Sequence, residues 1–120
     1  MKQMIIVAIG LMMIGAGCNT KISQSKPDVQ LPNDKTIVFV GQGCTHCEIV
    51  ADKIYGNPKF SSIDVREVFH NQDNAAMLVK AIQTCNLNFS TAGVPLLWDG
   101  RTCVQGDEKI IKLLNDLPTN

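Results

Sequence analysis

The chain has 120 residues, which allows one domain built around a single hydrophobic core. Its 11 basic residues balance 11 acidic ones, and basic residues form no stripe and do not alternate with aromatic ones. This composition argues against nucleic acid as a partner. We expect the protein to be a monomer.

The first 17 residues are typical of a secretory signal sequence. A cationic start at Lys2 precedes an uncharged apolar run over residues 4–17, which is short for a membrane span. Ala16 and Gly17 stand directly before Cys18, and this order resembles the lipobox of bacterial lipoproteins, which implies that Cys18 carries a lipid anchor. The alternative is an uncleaved N-terminal helix held in the membrane by its own hydrophobicity. Both interpretations predict an extracytoplasmic protein anchored at the cell membrane.

Residues 18–35 form a polar segment between this anchor and the rest of the chain. They contain Pro27 and Pro32 and show no sustained apolar period. That composition predicts a flexible linker, followed by a folded domain over residues 36–117.

The domain begins with a strand, a tight loop and a helix. Residues 37–40 are β-branched or aromatic, as in a buried strand, and glycines at positions 41 and 43 interrupt this run. Cys44-Thr45-His46-Cys47 then opens a segment whose apolar residues recur at helical spacing: Val50, Ala51 and Ile54.

This arrangement predicts a redox-active pair of cysteines. At the start of a helix, Cys44 faces unpaired backbone N–H groups and the positive end of the helix dipole, which stabilise a thiolate. Cys47 follows one turn later, within reach of the Cys44 sulfur, so that the two can form a disulfide. Cys44 is therefore the predicted nucleophile and Cys47 the resolving thiol.

The next elements alternate between strand and helix. Residues 56–58, Gly-Asn-Pro, predict the end of the first helix. Residues 61–69 predict a second strand with one covered and one partly wet face. Asn-rich residues 71–74 precede a second helix that ends near Asn86 and buries one apolar stripe: Ala75, Leu78, Val79 and Ile82.

The chain ends with a predicted hairpin and a last helix. Residues 93–98 form a third strand, and Asp99-Gly100 predicts a two-residue turn into a fourth strand over residues 101–105. Gly106-Asp107 caps the final helix, whose buried stripe ends before Pro118: Ile110, Ile111, Leu114 and Leu117.

The resulting βαβαββα order resembles the thioredoxin superfamily, most closely its small glutaredoxin-like branch. The likeness covers about residues 36–117 and depends on three matches, namely the cysteine pair at 44–47, Val94-Pro95, and Gly106-Asp107. It implies an α/β fold with a four-stranded mixed sheet, helices on both faces and no cofactor. It also implies a cis Val94–Pro95 bond facing Cys44, with the Val94 backbone binding an extended substrate. An ordinary trans proline at a strand start is the alternative.

The residues around the cysteines refine what the family likeness implies. His46 matches the Cys-Pro-His-Cys motif of periplasmic disulfide oxidases, and an imidazole there stabilises the Cys44 thiolate and makes the pair more oxidising. The alternative is that His46 only faces solvent. Glutaredoxins commonly carry a cation before the first cysteine to bind glutathione, but residues 41–43 are Gly-Gln-Gly, which argues against glutathione as the natural partner.

Cys85 and Cys103 lie in elements that this fold can bring together. In an oxidising compartment leftover thiols tend to pair, so one hypothesis is a structural disulfide. The alternative is two separate buried thiols that pack as small hydrophobic residues.

The leading interpretation is a membrane-tethered, extracytoplasmic thiol-disulfide oxidoreductase. Its expected partners are protein or small-molecule disulfides and thiols, together with a membrane redox protein. One alternative is a metal-binding domain or metallochaperone that uses Cys44, Cys47 and His46. Another is a redox-inactive binding domain, against which the intact cysteine pair and the Val94-Pro95 loop argue.

Overall fold

The computed structural model describes residues 28–118. The predicted signal sequence and Cys18 lie outside this range. The described elements are, in order, β1 (Ile37–Val40), α1 (Thr45–Ile54), a 3-10 helix (Pro58–Phe60), β2 (Asp64–Glu67), α2 (Gln72–Thr84), β3 (Leu96–Trp98), β4 (Cys103–Gln105) and α3 (Asp107–Asp116). Among these helices, none has the length and apolar character that a membrane span requires.

The four strands form one mixed sheet in the order β2-β1-β3-β4. β1 pairs in parallel with β2, placing Val38 opposite Val65, and antiparallel with β3, placing Val38 opposite Leu97. β3 and β4 are antiparallel, with Trp98 opposite Cys103. β1 is therefore an inner strand, which explains why all four of its side chains are buried.

Helices cover both faces of the sheet because side chains along β1 alternate between two apolar clusters. Val38 and Val40 face α1 and α3, where the buried helix residues are Cys47, Val50, Ile54, Ile110 and Leu114. Ile37 and Phe39 face α2 on the opposite side, together with Ala81, Leu96 and Trp98. This thioredoxin-like architecture confirms the predicted fold class.

The hairpin between β3 and β4 differs from the sequence prediction. Because the strand pairing ends at Trp98 and Cys103, the loop has four residues, 99–102, and not two. The Asp99 carboxylate accepts hydrogen bonds from the backbone N–H groups of Arg101 and Thr102, at 2.8 and 2.7 Å. This side chain closes the longer turn, as aspartates often do.

Three helix and strand details also differ. β2 is an edge strand whose residues are all half-buried. Its two faces therefore do not differ in burial, although the sequence predicted one covered face and one partly wet face. Val79 and Leu117, predicted in buried stripes, are exposed. Val79 lies on α2 away from the sheet cluster, and Leu117 lies just past the end of α3, as its C-cap.

The end of the predicted linker packs on the domain. Leu31 packs against the cluster beneath α2, and the indole N–H of Trp98 donates a 2.7 Å hydrogen bond to the carbonyl oxygen of Pro32. Gly100 lies so close to the Asn33 carbonyl that a Cβ would clash with it. Residues 31–33 therefore contact the folded domain, although the sequence analysis placed them in the linker. The division of the remaining chain stays a prediction.

A disulfide joins Cys85 and Cys103, with Cα atoms 6.0 Å apart. It connects the end of α2 to β4, and both residues pack against the α2-side cluster. Of the two alternatives for these cysteines, the structure therefore contains the disulfide and not two separate thiols.

Candidate active site

Cys44 is the residue that starts α1. Its backbone is extended, as an N-cap requires, and Gly43 before it adopts a φ of +77°, which favours glycine. The Cys44 Sγ accepts a hydrogen bond from the backbone N–H of Cys47 at 3.2 Å. The sulfur thus occupies the position that a serine or aspartate oxygen fills in most helices, and it shares the Cys47 N–H with the Cys44 carbonyl oxygen, which lies 3.0 Å from the same nitrogen.

Cys47 lies one turn further along α1 and is bonded to Cys44 by a disulfide, with Cα atoms 5.2 Å apart. The two sulfurs differ in accessibility, because Cys47 is 2% exposed while Cys44 is half-buried. The backbone N–H of Gly41 donates to the Cys47 Sγ at 3.4 Å. An attacking group reaches the outer sulfur, and the inner one stays covered.

The Val94–Pro95 peptide bond is cis and faces the cysteine pair. The carbonyl oxygen of Val94 lies 4.0 Å from the Cys44 Sγ, and both residues pack against the core on the α1 side. Pro95 is buried, and its carbonyl oxygen accepts the backbone N–H of Gly106 at 3.1 Å, which connects this loop to the start of α3. The Val94 backbone therefore borders the Cys44 sulfur.

Glu67, at the end of β2, holds the loop before Cys44. Its carboxylate accepts the backbone N–H groups of Gln42 at 3.3 Å, Phe69 at 2.7 Å and His70 at 2.9 Å. Burial alone would raise the pKa of Glu67, but these three N–H donors outweigh it and lower the pKa. Glu67 and Cys47 line one cavity of about 350 Å³, so this carboxylate belongs to the surroundings of the inner sulfur.

His46 points toward α3 and forms a pair with Asp107. Its Nδ1 lies 3.0 Å from the Asp107 Oδ2, and the two side chains are 70% and 20% exposed. The hydrogen bond and the charge of Asp107 raise the pKa of His46 above 6.5, and the same hydrogen bond lowers the pKa of Asp107. His46 is therefore exposed to solvent, as the alternative predicted, but it also forms a hydrogen bond with a carboxylate, which that alternative did not include.

The role of Asp107 was not predicted from its local pattern. Gly-Asp indicated a helix start, which the structure confirms, but the N-cap is Gly106, which has no side chain to bond with. The Asp107 carboxylate bonds instead to a histidine 61 residues earlier. Only the packing of α3 against α1 could reveal this contact.

The metal-binding alternative gains no support from the structure. Within residues 28–118, no group of three or more His, Cys, Asp and Glu side chains is placed to hold a metal ion. Cys44 and Cys47 bond to each other, and His46 bonds to Asp107.

Comparisons with known proteins find a likeness among solved structures. No family model matches the chain, and no curated protein matches it. Among solved structures, it is similar to the crystal structure of a buckwheat glutaredoxin-glutathione complex, with a TM-score of 0.45 and 18% identity over 68% of each chain. The description of the fold therefore depends on the strand order and connections given above.

Proposed function

We propose that this protein is a thiol-disulfide oxidoreductase in which Cys44 exchanges with the substrate and Cys47 completes the pair. The observation that carries the proposal is the position of the Cys44 Sγ. This sulfur caps α1, accepts the N–H of Cys47 and lies 4.0 Å from the Val94 carbonyl oxygen. It is the more accessible sulfur of a disulfide whose other half is buried.

The reaction proceeds through a mixed disulfide. A substrate thiolate attacks the Cys44 sulfur, which forms a new S–S bond, breaks the Cys44–Cys47 bond and releases Cys47 as a thiolate that takes up a proton. A second substrate thiolate then attacks the substrate sulfur of the mixed disulfide, and Cys44 leaves as a thiolate. Two electrons pass from the substrate to the protein, and the substrate acquires a disulfide.

The surroundings of Cys44 favour this oxidising direction. The leaving thiolate receives the N–H of Cys47 and the positive end of the α1 dipole, both of which stabilise negative charge on sulfur. A stabilised thiolate is a better leaving group, and it favours the reduced form of the protein. Substrate dithiols, in proteins or small molecules, are therefore the proposed electron donors, and a membrane redox partner reoxidises the pair.

We also place this activity outside the cytoplasm, on a protein tethered to the cell membrane through its N-terminus. This part of the proposal depends on the apolar run over residues 4–17 and on Cys18, which lie outside the described residues. The disulfide between Cys85 and Cys103 is consistent with an oxidising compartment.

Single-cysteine variants test the chemistry. The assay measures oxidation of a dithiol peptide by the disulfide form, and reaction of the reduced form with a disulfide peptide. Cys44→Ser should abolish both reactions, because the accessible nucleophile is gone. Cys47→Ser should react once and accumulate a mixed disulfide at Cys44, visible by mass spectrometry, because no second protein thiol can release the substrate.

The second disulfide provides the control. A Cys85→Ser/Cys103→Ser variant that remains folded should exchange at the wild-type rate. Exchange that persists in Cys44→Ser, or wild-type protein that reacts no faster than free cystine, would contradict the proposed function.

A further inference from the structure

The first turns of α1 and α3 are joined by one polar contact above a shared apolar core. Below, Cys47 and Val50 of α1 occupy the same buried cluster as Ile110 of α3. Above, the His46 Nδ1 meets the Asp107 Oδ2 at 3.0 Å. This places a carboxylate from the last helix beside an imidazole whose residue lies between the two redox cysteines in the sequence.

We propose that Asp107 is a positioning residue for the redox pair, which acts through His46 by holding its imidazole at the start of α1, two residues after Cys44. The inference rests on the proposed function, because it concerns the redox equilibrium of the same disulfide. Asp107 itself contacts neither the substrate nor a cysteine in this assignment. Its effect on the sulfur requires the histidine.

The charged groups around His46 support this role. On α3, Asp107 contacts His46 directly, and Glu108 is the next residue. Both raise the pKa of His46, and the hydrogen bond with Asp107 has the largest effect. β1 contributes only apolar side chains. On α1 itself, Glu48 is the nearest other charged residue in the chain. Among the described residues, the charged groups that shift the pKa of His46 are the carboxylates of Asp107 and Glu108, and both raise it.

The sign of the pH effect follows from this pairing. His46 has a pKa above its ordinary 6.5, so it retains its proton as the pH rises past that value and loses it only at the raised pKa. Asp107, with a lowered pKa, remains ionised down to more acidic pH. Between these two limits the imidazolium stands two residues after Cys44 and stabilises its thiolate. Without Asp107, the imidazole loses its charge at lower pH.

Asp107 also carries its own negative charge, which by direct repulsion would destabilise the Cys44 thiolate. The two effects have opposite signs, so a double-mutant cycle with His46 separates them. If Asp107 acts through the histidine, its removal weakens the thiolate only when His46 is present.

The experiment compares wild type, Asp107→Asn, His46→Gln and the double variant in the full chain. The pH dependence of alkylation by iodoacetamide gives the apparent pKa of the Cys44 thiol, and equilibration in glutathione buffers at pH 7.5 gives the redox equilibrium constant. Asp107→Asn should raise the Cys44 pKa and shift the equilibrium toward the disulfide by about three- to tenfold, where tenfold corresponds to about 30 mV. In the His46→Gln background the same substitution should have no such effect.

Two further readouts exclude a merely structural role. NMR titration of the His46 ring should give a lower pKa in Asp107→Asn, while His70, which pairs with Glu67, serves as the internal reference. The matched control Glu108→Gln removes a neighbouring charge without removing the hydrogen bond, and should change the Cys44 pKa less than Asp107→Asn does.

The proposal is overturned if Asp107→Asn lowers the Cys44 pKa, leaves it unchanged, or raises it equally without His46. These outcomes are distinct from failure of the proposed function. If wild-type protein exchanges disulfides but the cycle shows no coupling, only the role of Asp107 is lost. If wild-type protein does not exchange at all, the function itself is wrong.

Discussion

At the scale of single residues, the Cys44 sulfur combines a structural and a chemical task. As the N-cap of α1 it accepts the backbone N–H of Cys47, which also donates to the Cys44 carbonyl oxygen. A negatively charged sulfur is a stronger acceptor than a disulfide sulfur, so this hydrogen bond gains strength on reduction. The same contact therefore starts the helix and stabilises the reduced protein.

A second residue, Glu67, provides a test of the loop geometry. Its carboxylate accepts hydrogen bonds from three backbone N–H groups, including that of Gln42 beside the site. Glu67→Gln should lower the thermal unfolding temperature at pH 7, because a neutral amide oxygen is a weaker acceptor for these donors. The measurement is thermal unfolding followed by circular dichroism from pH 7 to pH 3.

The pH dependence has a defined direction. Because folding lowers the pKa of Glu67, its contribution is complete above the ordinary value of 4.5 and is lost as the pH falls through the lowered pKa. The difference between Glu67→Gln and wild type should therefore disappear at acidic pH. Glu48→Gln removes an equal charge from a side chain that accepts no hydrogen bond within residues 28–118 and should change little. Equal unfolding temperatures for Glu67→Gln and wild type at pH 7 would contradict this account.

At the scale of elements, the two disulfides have different surroundings. The Cys44–Cys47 pair closes a single helical turn at a surface, whereas Cys85–Cys103 links the end of α2 to β4 across 18 positions of the chain. A cross-link that spans more residues removes more freedom from the unfolded chain. The first pair is suited to exchange and the second to stability.

This difference gives a stability prediction. Replacing both Cys85 and Cys103 with alanine should lower the free energy of unfolding by about 3 kcal/mol, the cost expected for losing a loop of this length. Urea denaturation of the oxidised proteins measures it. Cys44→Ala/Cys47→Ala is the matched control, and should cost less because its loop spans only 3 positions. A smaller loss for the long loop than for the short one would contradict the assignment.

At the scale of the whole molecule, the sheet separates the cysteine pair from the smaller of the two core clusters. The site lies on the face covered by α1 and α3, whose buried residues include Cys47 itself. The opposite face carries α2, Trp98 and the end of the N-terminal segment, where Pro32 accepts the indole N–H. Leu31 and Pro32 therefore lie on the α2 side of the sheet, opposite to the side that holds Cys47.

Membrane tethering can be tested on the full chain. Expressed in a bacterium that processes lipoproteins, the wild-type protein should incorporate labelled palmitate and sediment with membranes. Cys18→Ser should lose the label, because the proposed acylation site is gone. Cys85→Ser retains Cys18 and should remain labelled. Absence of label from wild type would exclude lipidation, and membrane association without label would favour the uncleaved N-terminal helix.

The sequence by itself determined the order and type of the elements and placed the Cys44–Cys47 pair at the start of α1. These features depend on neighbouring residues: a β-branched run makes β1, glycines interrupt it, and a cysteine at a helix start meets free N–H groups. Boundaries were less predictable. The Asp99 side chain lengthened the hairpin loop, and edge placement left β2 half-buried, neither of which follows from alternation of apolar residues.

Only the tertiary structure decided which distant residues meet. His46 and Asp107 are 61 positions apart, and Trp98 and Pro32 are 66 apart. Each pair forms because packing on one face of the sheet brings its two segments together, and local patterns carry no information about that approach. The sequence therefore located the sulfur atoms, whereas the fold decided which charges surround them.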